Sequence, residues 1–233
     1  MKVAAVVPSY RAAGTLPTLL ERLCREFPPE AIYVVDDGSE DDTAQAVAPF
    51  GVKLLVHGAN AGKGTALVTG SVAAHRDGFT HVLCLDADGQ HPPEQARDFL
   101  RSAESETVGV VIGARTLAVP QMPWPRMCSN RLTTFLLGLQ AGARLFDSQC
   151  GYRMYRLEAL LHRDIPKQGR FEWESETLVR IARRGWRVAK VDIPTIYTDA
   201  GSHIRPWRDT YRFARMWFRL WGRILRGAMP RNT

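Results

Sequence analysis

The feature that most constrains the fold is an alternation of apolar, strand-length runs with amphipathic, helix-length stretches. The predicted strands lie in "KVAAVVPSY", "AIYVVDDGS", "VKLLVHG", "HVLCLDADG" and "VGVVIGAR". The predicted helices lie in "TLPTLLERLCREF", "DDTAQAVAPFG", "GKGTALVTGSVAAHRDG" and "PPEQARDFLRSAE". Because the strands are apolar on both faces, they predict an α/β fold with a mostly parallel sheet covered by helices on both sides. The chain has 233 residues, 45% of them hydrophobic, which is enough for one such core.

The residues that end these strands are the candidates for a binding site, because parallel α/β sheets bind ligands at their carboxyl edge. They are Pro8 to Tyr10, Asp36 and Asp37, Asp86 to Gln90, and Arg115.

"VDDGSEDDT" also suits a simple turn and helix cap. "HGANAGKGTAL" is one residue short of the Walker phosphate loop. "DADGQHPPE" lacks an acid that an EF-hand loop requires, and Arg97 stands where the bidentate Glu belongs.

Asp86 and Asp88 raise a specific chemical question, because two neighbouring carboxylates repel each other and are costly to desolvate. Either water reaches them or a cation joins them. Mg²⁺ and Mn²⁺ prefer oxygen ligands and are commonly held by one or two carboxylates plus the phosphates of a substrate. The pair therefore predicts a divalent metal and a nucleoside diphosphate as its partner.

Several motifs along the chain, taken in order, resemble those of family 2 glycosyltransferases of GT-A fold. They are "VVPSYRAAGTLPTLLERL", "YVVDDGSEDDT", "NAGKGTAL", "CLDADGQHPPE", "IGAR", "FDSQCGYRMYR" and "FEWESETLVRIARRGWRVAKVDIP". The most similar pattern is that of the polyprenyl-phosphate sugar transferases, and the ordered set is far more specific than any one motif. The resemblance implies a single Rossmann-like nucleotide-binding domain, residues 1–204. The charge and apolar pattern of residues 205–233 predict a basic amphipathic helix and tail.

The resemblance also implies roles on the donor side of the site. The positions that match nucleotide-binding residues of the family are Pro8, Tyr10, Asp37, Asn60, Lys63 and Asp86, with Gly62 in the same loop. Asp86, Asp88 and Gln90 match the metal and diphosphate site, with Mg²⁺ or Mn²⁺ as the implied cofactor. Arg115 matches an arginine that contacts phosphate, and we expect Asp88 and Arg115 to act in catalysis.

On the acceptor side, the matched positions are Arg126 and Asn130, with Ser129 beside them, and Asp147 and Arg153. His203 and Arg205 are added because they lie where the predicted domain meets the tail. If the acceptor is a phosphate, it is ionised at neutral pH and needs no base. If it is a hydroxyl group, a carboxylate must remove its proton, and Asp147 or Glu172 is then the first candidate. Acids in "FEWESE", including Glu174, also suit a structural contact with an arginine.

One departure from the family pattern concerns the donor. Mannosyl-transferring relatives carry a P-x-Y-N-E pattern after the first strand, whereas here Tyr10 is followed by Arg11 and Ala12. The acid that helps to hold guanosine is therefore absent, and both a UDP-sugar and a GDP-sugar stay open as donors.

The predicted tail carries the whole charge excess of the chain. The net charge is +7, and residues 205–233 contain eight arginines and one acid, Asp209. On a helix, six of these arginines fall within an arc of roughly 80°. Aromatic and aliphatic residues cover the other sides, which favours an interfacial helix on an anionic membrane over a helix that only packs on the body. A nucleic-acid partner is disfavoured, because the rest of the chain is neutral and the arginines are interleaved with aliphatic residues.

The sequence further predicts a peripheral protein at the inner face of the cell membrane. Pro8 interrupts the first apolar run before a signal-peptide core develops, and no apolar run is long enough to span a bilayer. The four cysteines form no C-x-x-C pair and are expected to be reduced thiols in the cytoplasm. The predicted function is metal-dependent, inverting sugar transfer from a nucleotide sugar to a polyprenyl phosphate. The alternatives are a glycolipid or glycan hydroxyl acceptor, or an inactive transferase fold that binds membrane or nucleic acid.

Overall fold

The computed structural model describes residues 1–115, 124–196 and 206–229. In these residues the strands are β1 Val3–Ser9, β2 Ile32–Asp36, β3 Lys53–Val56, β4 His81–Cys84, β5 Val108–Arg115, β6 Arg153–Arg156 and β7 Arg187–Ile193. The helices are α1 Leu16–Glu26, α2 Thr43–Val47, α3 Lys63–Arg76, α4 Ala96–Ser102, α5 Trp124–Ala141, α6 Leu157–Leu160, α7 Glu172–Arg183 and α8 Pro206–Leu225.

The strands form one sheet in the order β3-β2-β1-β4-β6-β5-β7. β1 pairs in parallel with β2 and β4, and β5 pairs in parallel with β7. β6 is antiparallel to both of its neighbours, β4 and β5. The predicted mostly parallel α/β fold is therefore confirmed, with one reversed strand that the sequence pattern did not indicate.

The reversed strand matters for the site, because it brings its start to the sheet edge where the other strands end. Arg153, the first residue of β6, pairs with Cys84 near the end of β4 and with Ile112 of β5. The residues that precede β6, from Asp147 to Tyr152, therefore lie at the carboxyl edge of the parallel strands.

The apolar pattern of the sequence fills the core as predicted. In β1, Ala4 to Val7 are fully buried. Helix α1 buries four leucines at helical spacing, namely Leu16, Leu19, Leu20 and Leu23. Each fully buried leucine contributes about 2 kcal/mol through removal of its surface from water. Helix α1 then ends at Phe27, whose extended backbone precedes two prolines.

Close backbone contacts fix helix α3 against the sheet and against α7. A Cβ atom on Gly70 would lie 2.6 Å from Cγ1 of Val6, and one on Gly64 would lie 2.5 Å from the side chain of Trp173. Only glycine fits such distances. Because Gly64 follows Lys63, the contact sets the first residue of α3 beside the first turn of α7.

Helix α8 packs on the body of the protein and also exposes apolar side chains. Met216 and Leu220 are buried against the core, and the side-chain amide of Gln140 on α5 donates to the carbonyl of Trp217 at 2.8 Å. Tyr211, Phe218 and Leu225, spaced seven residues apart, are instead 67%, 69% and 79% exposed.

Among the described helices, none has the length and apolar character to cross a bilayer. All four cysteines are free thiols.

Candidate active site

The centre of the site is a buried group of charges at the end of β4. The ammonium group of Lys63 lies 2.6 Å from Oδ1 of Asp86 and 2.7 Å from Oε2 of Glu174. Burial alone would lower the pKa of Lys63, but the two carboxylates outweigh it and raise that pKa above its usual value. Burial opposes ionisation of Asp86, yet Lys63 and then the neighbouring cations hold the pKa of Asp86 below its usual value. Lys63 therefore compensates two carboxylates at once.

Gly151 allows this charge cluster to form. A Cβ atom at this position would lie 2.5 Å from Oδ2 of Asp86 and 2.7 Å from Nζ of Lys63. The backbone before β6 thus passes directly against the ion pair. Any side chain at position 151 would displace one of the two charged groups.

His91 lies beneath the acidic turn and was given no role in the sequence interpretation. The backbone N–H of Asp86 donates to its Nδ1 at 3.1 Å, and its ring stacks on Tyr152 with 5.2 Å between ring centroids. Burial is the largest cause of a lowered pKa of His91, so the ring is neutral and carries its proton on Nε2. The charges of Asp86 and Asp88 oppose this lowering of the pKa, whereas those of Lys63 and Arg115 add to it.

Asp88 stands on the turn that follows Asp86. Its Oδ1 accepts a hydrogen bond from the backbone N–H of Gln90 at 2.9 Å, which fixes the turn. Asp88 and Gln90 are both partly exposed, as expected for side chains that face a cleft. The described residues contain no group of three or more His, Cys, Asp or Glu side chains able to hold a metal. The donor set still suits Mg²⁺ or Mn²⁺, because these ions commonly take one or two carboxylates and complete their shell with substrate phosphate and water.

Arg115, the last residue of β5, is held by Asp147. Its Nε and terminal nitrogen donate to the two carboxylate oxygens of Asp147 at 2.8 and 3.0 Å. Asp147 is 3% exposed and also accepts from the backbone N–H of Gln149 at 3.1 Å. This fork-to-fork geometry fixes the guanidinium plane. It also corrects the prediction of Asp147 as a proton acceptor, because both of its oxygens are engaged by Arg115.

Arg153 lies in the core, which does not fit the predicted contact with an acceptor. It is 1% exposed and donates to the carbonyls of Cys150, Ser148 and Glu174 at 2.8, 2.8 and 2.7 Å. These bonds tie the start of β6 to α7. The "GYR" motif is therefore structural at its arginine. Glu172, the first acid of "FEWESE", is half-buried at the start of α7, and the other two acids have lysine and arginine partners. Glu174 pairs with Lys63, while Glu176 pairs with Arg180 and Arg219.

Asp37 organises the loop before α3. It is 3% exposed, and its two oxygens accept from the backbone N–H groups of Ala61 and Gly62 at 2.9 and 2.7 Å. His57 contacts Oδ1 at 2.7 Å. In the structure the partners of Asp37 are thus His57 and the loop before α3, and its predicted contact with the base or ribose stays a prediction. Asn60 of the same loop accepts from Arg170 at 2.8 Å.

The segment after β1 is fixed to the segment after β2. Arg11 has a φ of 53°, a left-handed conformation that is uncommon for a side chain of this size. Its backbone N–H donates to Oγ of Ser39 at 2.8 Å, and its guanidinium lies 2.9 Å from Glu40. Pro8 is buried in β1, paired with Val35, and Tyr10 is half-buried at the strand end.

The remaining predicted acceptor residues are only partly within the described structure. Asn130 lies on α5, where it lines a groove together with Asp147. Arg126 belongs to the first turn of α5, but its side chain is outside the described part, and His203 and Arg205 lie outside the described residues.

An α/β sheet with an acidic pair, a lysine and a clamped arginine at its carboxyl edge is the arrangement expected of a glycosyltransferase of GT-A fold. The model of glycosyl transferase family 2 matches residues 4–163, and the chain belongs to that family. It is accordingly a glycosyltransferase.

Curated relatives of the chain include polyprenyl-phosphate sugar transferases. The undecaprenyl-phosphate mannosyltransferase of Micrococcus luteus is 30% identical and covers 86% of each chain. The UDP-N-acetylglucosamine–dolichyl-phosphate N-acetylglucosaminyltransferase of Methanococcus voltae is 26% identical, covering 83% of this chain and 85% of its own.

Solved structures share the fold at lower identity. Mannosyl-3-phosphoglycerate synthase from Rubrobacter xylanophilus has a TM-score of 0.74 and 22% identity, covering 98% of this chain and 75% of its own. Glucosyl-3-phosphoglycerate synthase from Mycobacterium tuberculosis, solved with Mn²⁺, UDP and phosphoglyceric acid, has a TM-score of 0.71 and 18% identity. That match covers 94% of this chain and 77% of the other.

Proposed function

We propose that this enzyme transfers a sugar, with inversion, from a UDP- or GDP-sugar to a polyprenyl phosphate at a membrane surface. The observation that carries the proposal is the buried ionic group of Lys63, Asp86 and Glu174 at the end of β4. Arg115, clamped by Asp147, ends β5 at the same edge of the sheet. Two curated relatives whose names state a polyprenyl-phosphate acceptor support the choice of acceptor.

The chemistry follows from the charges that these residues can present. As an acceptor oxygen attacks the anomeric carbon, the bond from that carbon to the diphosphate breaks and negative charge grows on the diphosphate. Arg115, held rigid by Asp147, donates to that charge without having to reorient. A bound Mg²⁺ or Mn²⁺ would add Lewis-acid stabilisation of the same leaving group. We assign Asp88 to that ion. Gln90 lies beside Asp88, and Asp86 is a partner of Lys63.

The choice of acceptor class is supported by the pairing of the buried acids near the site. A phosphate acceptor is already ionised at neutral pH, whereas a hydroxyl acceptor requires a carboxylate to take its proton. Two buried acids beside the site, Asp147 and Glu174, are paired with Arg115 and Lys63. These pairings favour the phosphate acceptor.

We also propose that helix α8 holds the enzyme on an anionic membrane, at the inner face of the cell membrane. Its exposed Tyr211, Phe218 and Leu225 form one stripe, and Arg215 and Arg226 are exposed nearby. Apolar side chains beside arginines suit the boundary between headgroups and acyl chains. Co-sedimentation with phosphatidylglycerol vesicles tests this. Phe218→Ser should weaken binding, whereas Val56→Ser, at a residue equally exposed on β3, should not. Equal binding by both variants would exclude α8 as the element that binds the membrane.

The function is tested by screening UDP- and GDP-sugars with Mg²⁺ or Mn²⁺ and a short polyprenyl phosphate. We expect transfer from one donor class that requires both the metal and the lipid phosphate, and loss of transfer in Asp88→Asn. Asp98→Asn on α4, where Asp98 is half-exposed near Arg101, is the matched control and should keep full activity. Unchanged turnover of Asp88→Asn would exclude the metal assignment.

A further inference from the structure

A groove lies on the flank of helix α5 and has no role in the chemistry described above. Its volume is about 660 Å³, and the segment that follows α5, residues 142–147, forms its opposite wall. Phe135 and Leu139 line it and are 62% and 54% exposed, and Leu145 and Phe146 line the other side. Clustered exposed apolar side chains of this kind are typical of a surface that contacts an apolar ligand.

The groove is continuous with the candidate active site. Asn130 and Asp147 are part of its lining. Asp147 is the residue that clamps Arg115 with two hydrogen bonds of 2.8 and 3.0 Å. A ligand whose reacting group lies beside Arg115 could therefore extend its remaining part along α5 between Phe135 and Leu139.

The charges on the groove fit an anionic amphiphile. Arg131 and Arg144 belong to the lining, and both are exposed. The guanidinium of Arg144 lies 5.7 Å from the ring centroid of Phe146. Asp147 is the acid in this lining, and Arg115 compensates its charge. The groove thus combines apolar walls with the positive charge of two exposed arginines, as a hydrocarbon chain with a phosphate at one end requires.

We propose that this groove binds the first isoprene units of the acceptor, next to its phosphate, while that phosphate faces Arg115. The inference rests on the proposed function and deepens it. It separates recognition of the lipid chain from attachment to the membrane, which we assign to α8.

The test uses the full chain in detergent-free solution with water-soluble acceptors below their critical micelle concentrations. Dimethylallyl, geranyl and farnesyl phosphate carry one, two and three isoprene units. We expect the KM for the acceptor to fall by about tenfold with each added unit, because each unit buries further apolar surface in the groove. In Leu139→Ser the KM for farnesyl phosphate should rise by about tenfold, while that for dimethylallyl phosphate stays within about twofold.

Leu132→Ser is the matched control, because Leu132 is 59% exposed on the same helix and does not line the groove. Its KM values should equal those of the wild type. Transfer with no dependence on chain length, or equal effects of Leu139→Ser and Leu132→Ser, would overturn the groove assignment and leave the proposed function intact. Absence of transfer to every prenyl phosphate would overturn both.

Discussion

Lys63 is the residue on which the charge balance of the site depends. It is the shared partner of Asp86, in the turn after strand β4, and Glu174, in helix α7. Removal of one member of a buried ionic group leaves the others uncompensated, and the penalty exceeds the value of the pair itself. The site residues Asp86 and Lys63 could be predicted from strand ends and motifs. The pairing of Glu174 with Lys63 could not be predicted from the sequence, because more than a hundred residues separate them in the chain.

Lys63→Met should destabilise the fold as well as the site. We expect a loss of about 3 kcal/mol in the free energy of unfolding, measured by urea denaturation at neutral pH. Lys53→Met is the control, because Lys53 pairs with Asp77 at the exposed surface and should contribute less than about 1 kcal/mol. Equal losses for the two variants would show that the buried cluster carries no special penalty.

Asp147→Asn should impair catalysis through Arg115. The neutral amide cannot hold the guanidinium with two charge-assisted bonds, so Arg115 loses its fixed orientation. We expect kcat for transfer to fall about 100-fold, as for other misplaced catalytic groups, with a smaller change in the KM for the donor. Asp164→Asn, which removes a half-exposed partner of Arg184, should leave both values unchanged. A kcat at the wild-type level would contradict the clamp.

At the scale of elements, β6 explains why the site was only partly predictable. Strands β1 to β5 lie in apolar runs, and their presence and carboxyl ends follow from the sequence pattern. β6 is four residues long with an arginine at each end, so its pattern resembles a loop. β7 is an edge strand with alternating burial and several charges. The antiparallel insertion of β6 places Gly151 and Asp147 at the active edge, and this depends on tertiary pairing that local sequence does not encode.

Gly151→Ala tests that placement. The new Cβ would meet Oδ2 of Asp86 and Nζ of Lys63, which are ends of side chains, so the charges can move while the backbone stays. We therefore expect transfer activity to fall at least tenfold, with a loss of about 1 kcal/mol in stability. Gly14→Ala is the control, because no atom lies within 4 Å of a Cβ at that position. Full activity of Gly151→Ala would mean that the ion pair is dispensable.

At the scale of the whole molecule, buried histidines set the pH dependence of stability. His81 at the start of β4 is 4% exposed, and its Nε2 has no hydrogen-bond partner in the described structure. Burial, followed by the nearby charge of Arg156, lowers the pKa of His81 from 6.5 to about 4. The unfolded chain therefore binds more protons than the folded one between these values, and stability must fall as pH falls through that window.

Between pH 6.5 and 4, His81 alone should lower the free energy of unfolding by about 3 kcal/mol. The lowered pKa of His91 acts in the same direction. Urea denaturation across this range measures it. In His81→Gln the dependence on pH should be weaker, whereas the exposed His75→Gln should retain the wild-type dependence. Identical slopes for His81→Gln and the wild type would contradict the assignment.

The central claim is that the enzyme joins a sugar to a phosphate with inversion, and the structure of the product tests it most directly. The wild-type chain is incubated with the donor that supports transfer and with farnesyl phosphate, and the product is examined by ³¹P and ¹H NMR. The account predicts a sugar phosphodiester of the prenol whose anomeric configuration is opposite to that of the donor. A product with retained configuration, or one joined through a hydroxyl group in place of the phosphate, would contradict it.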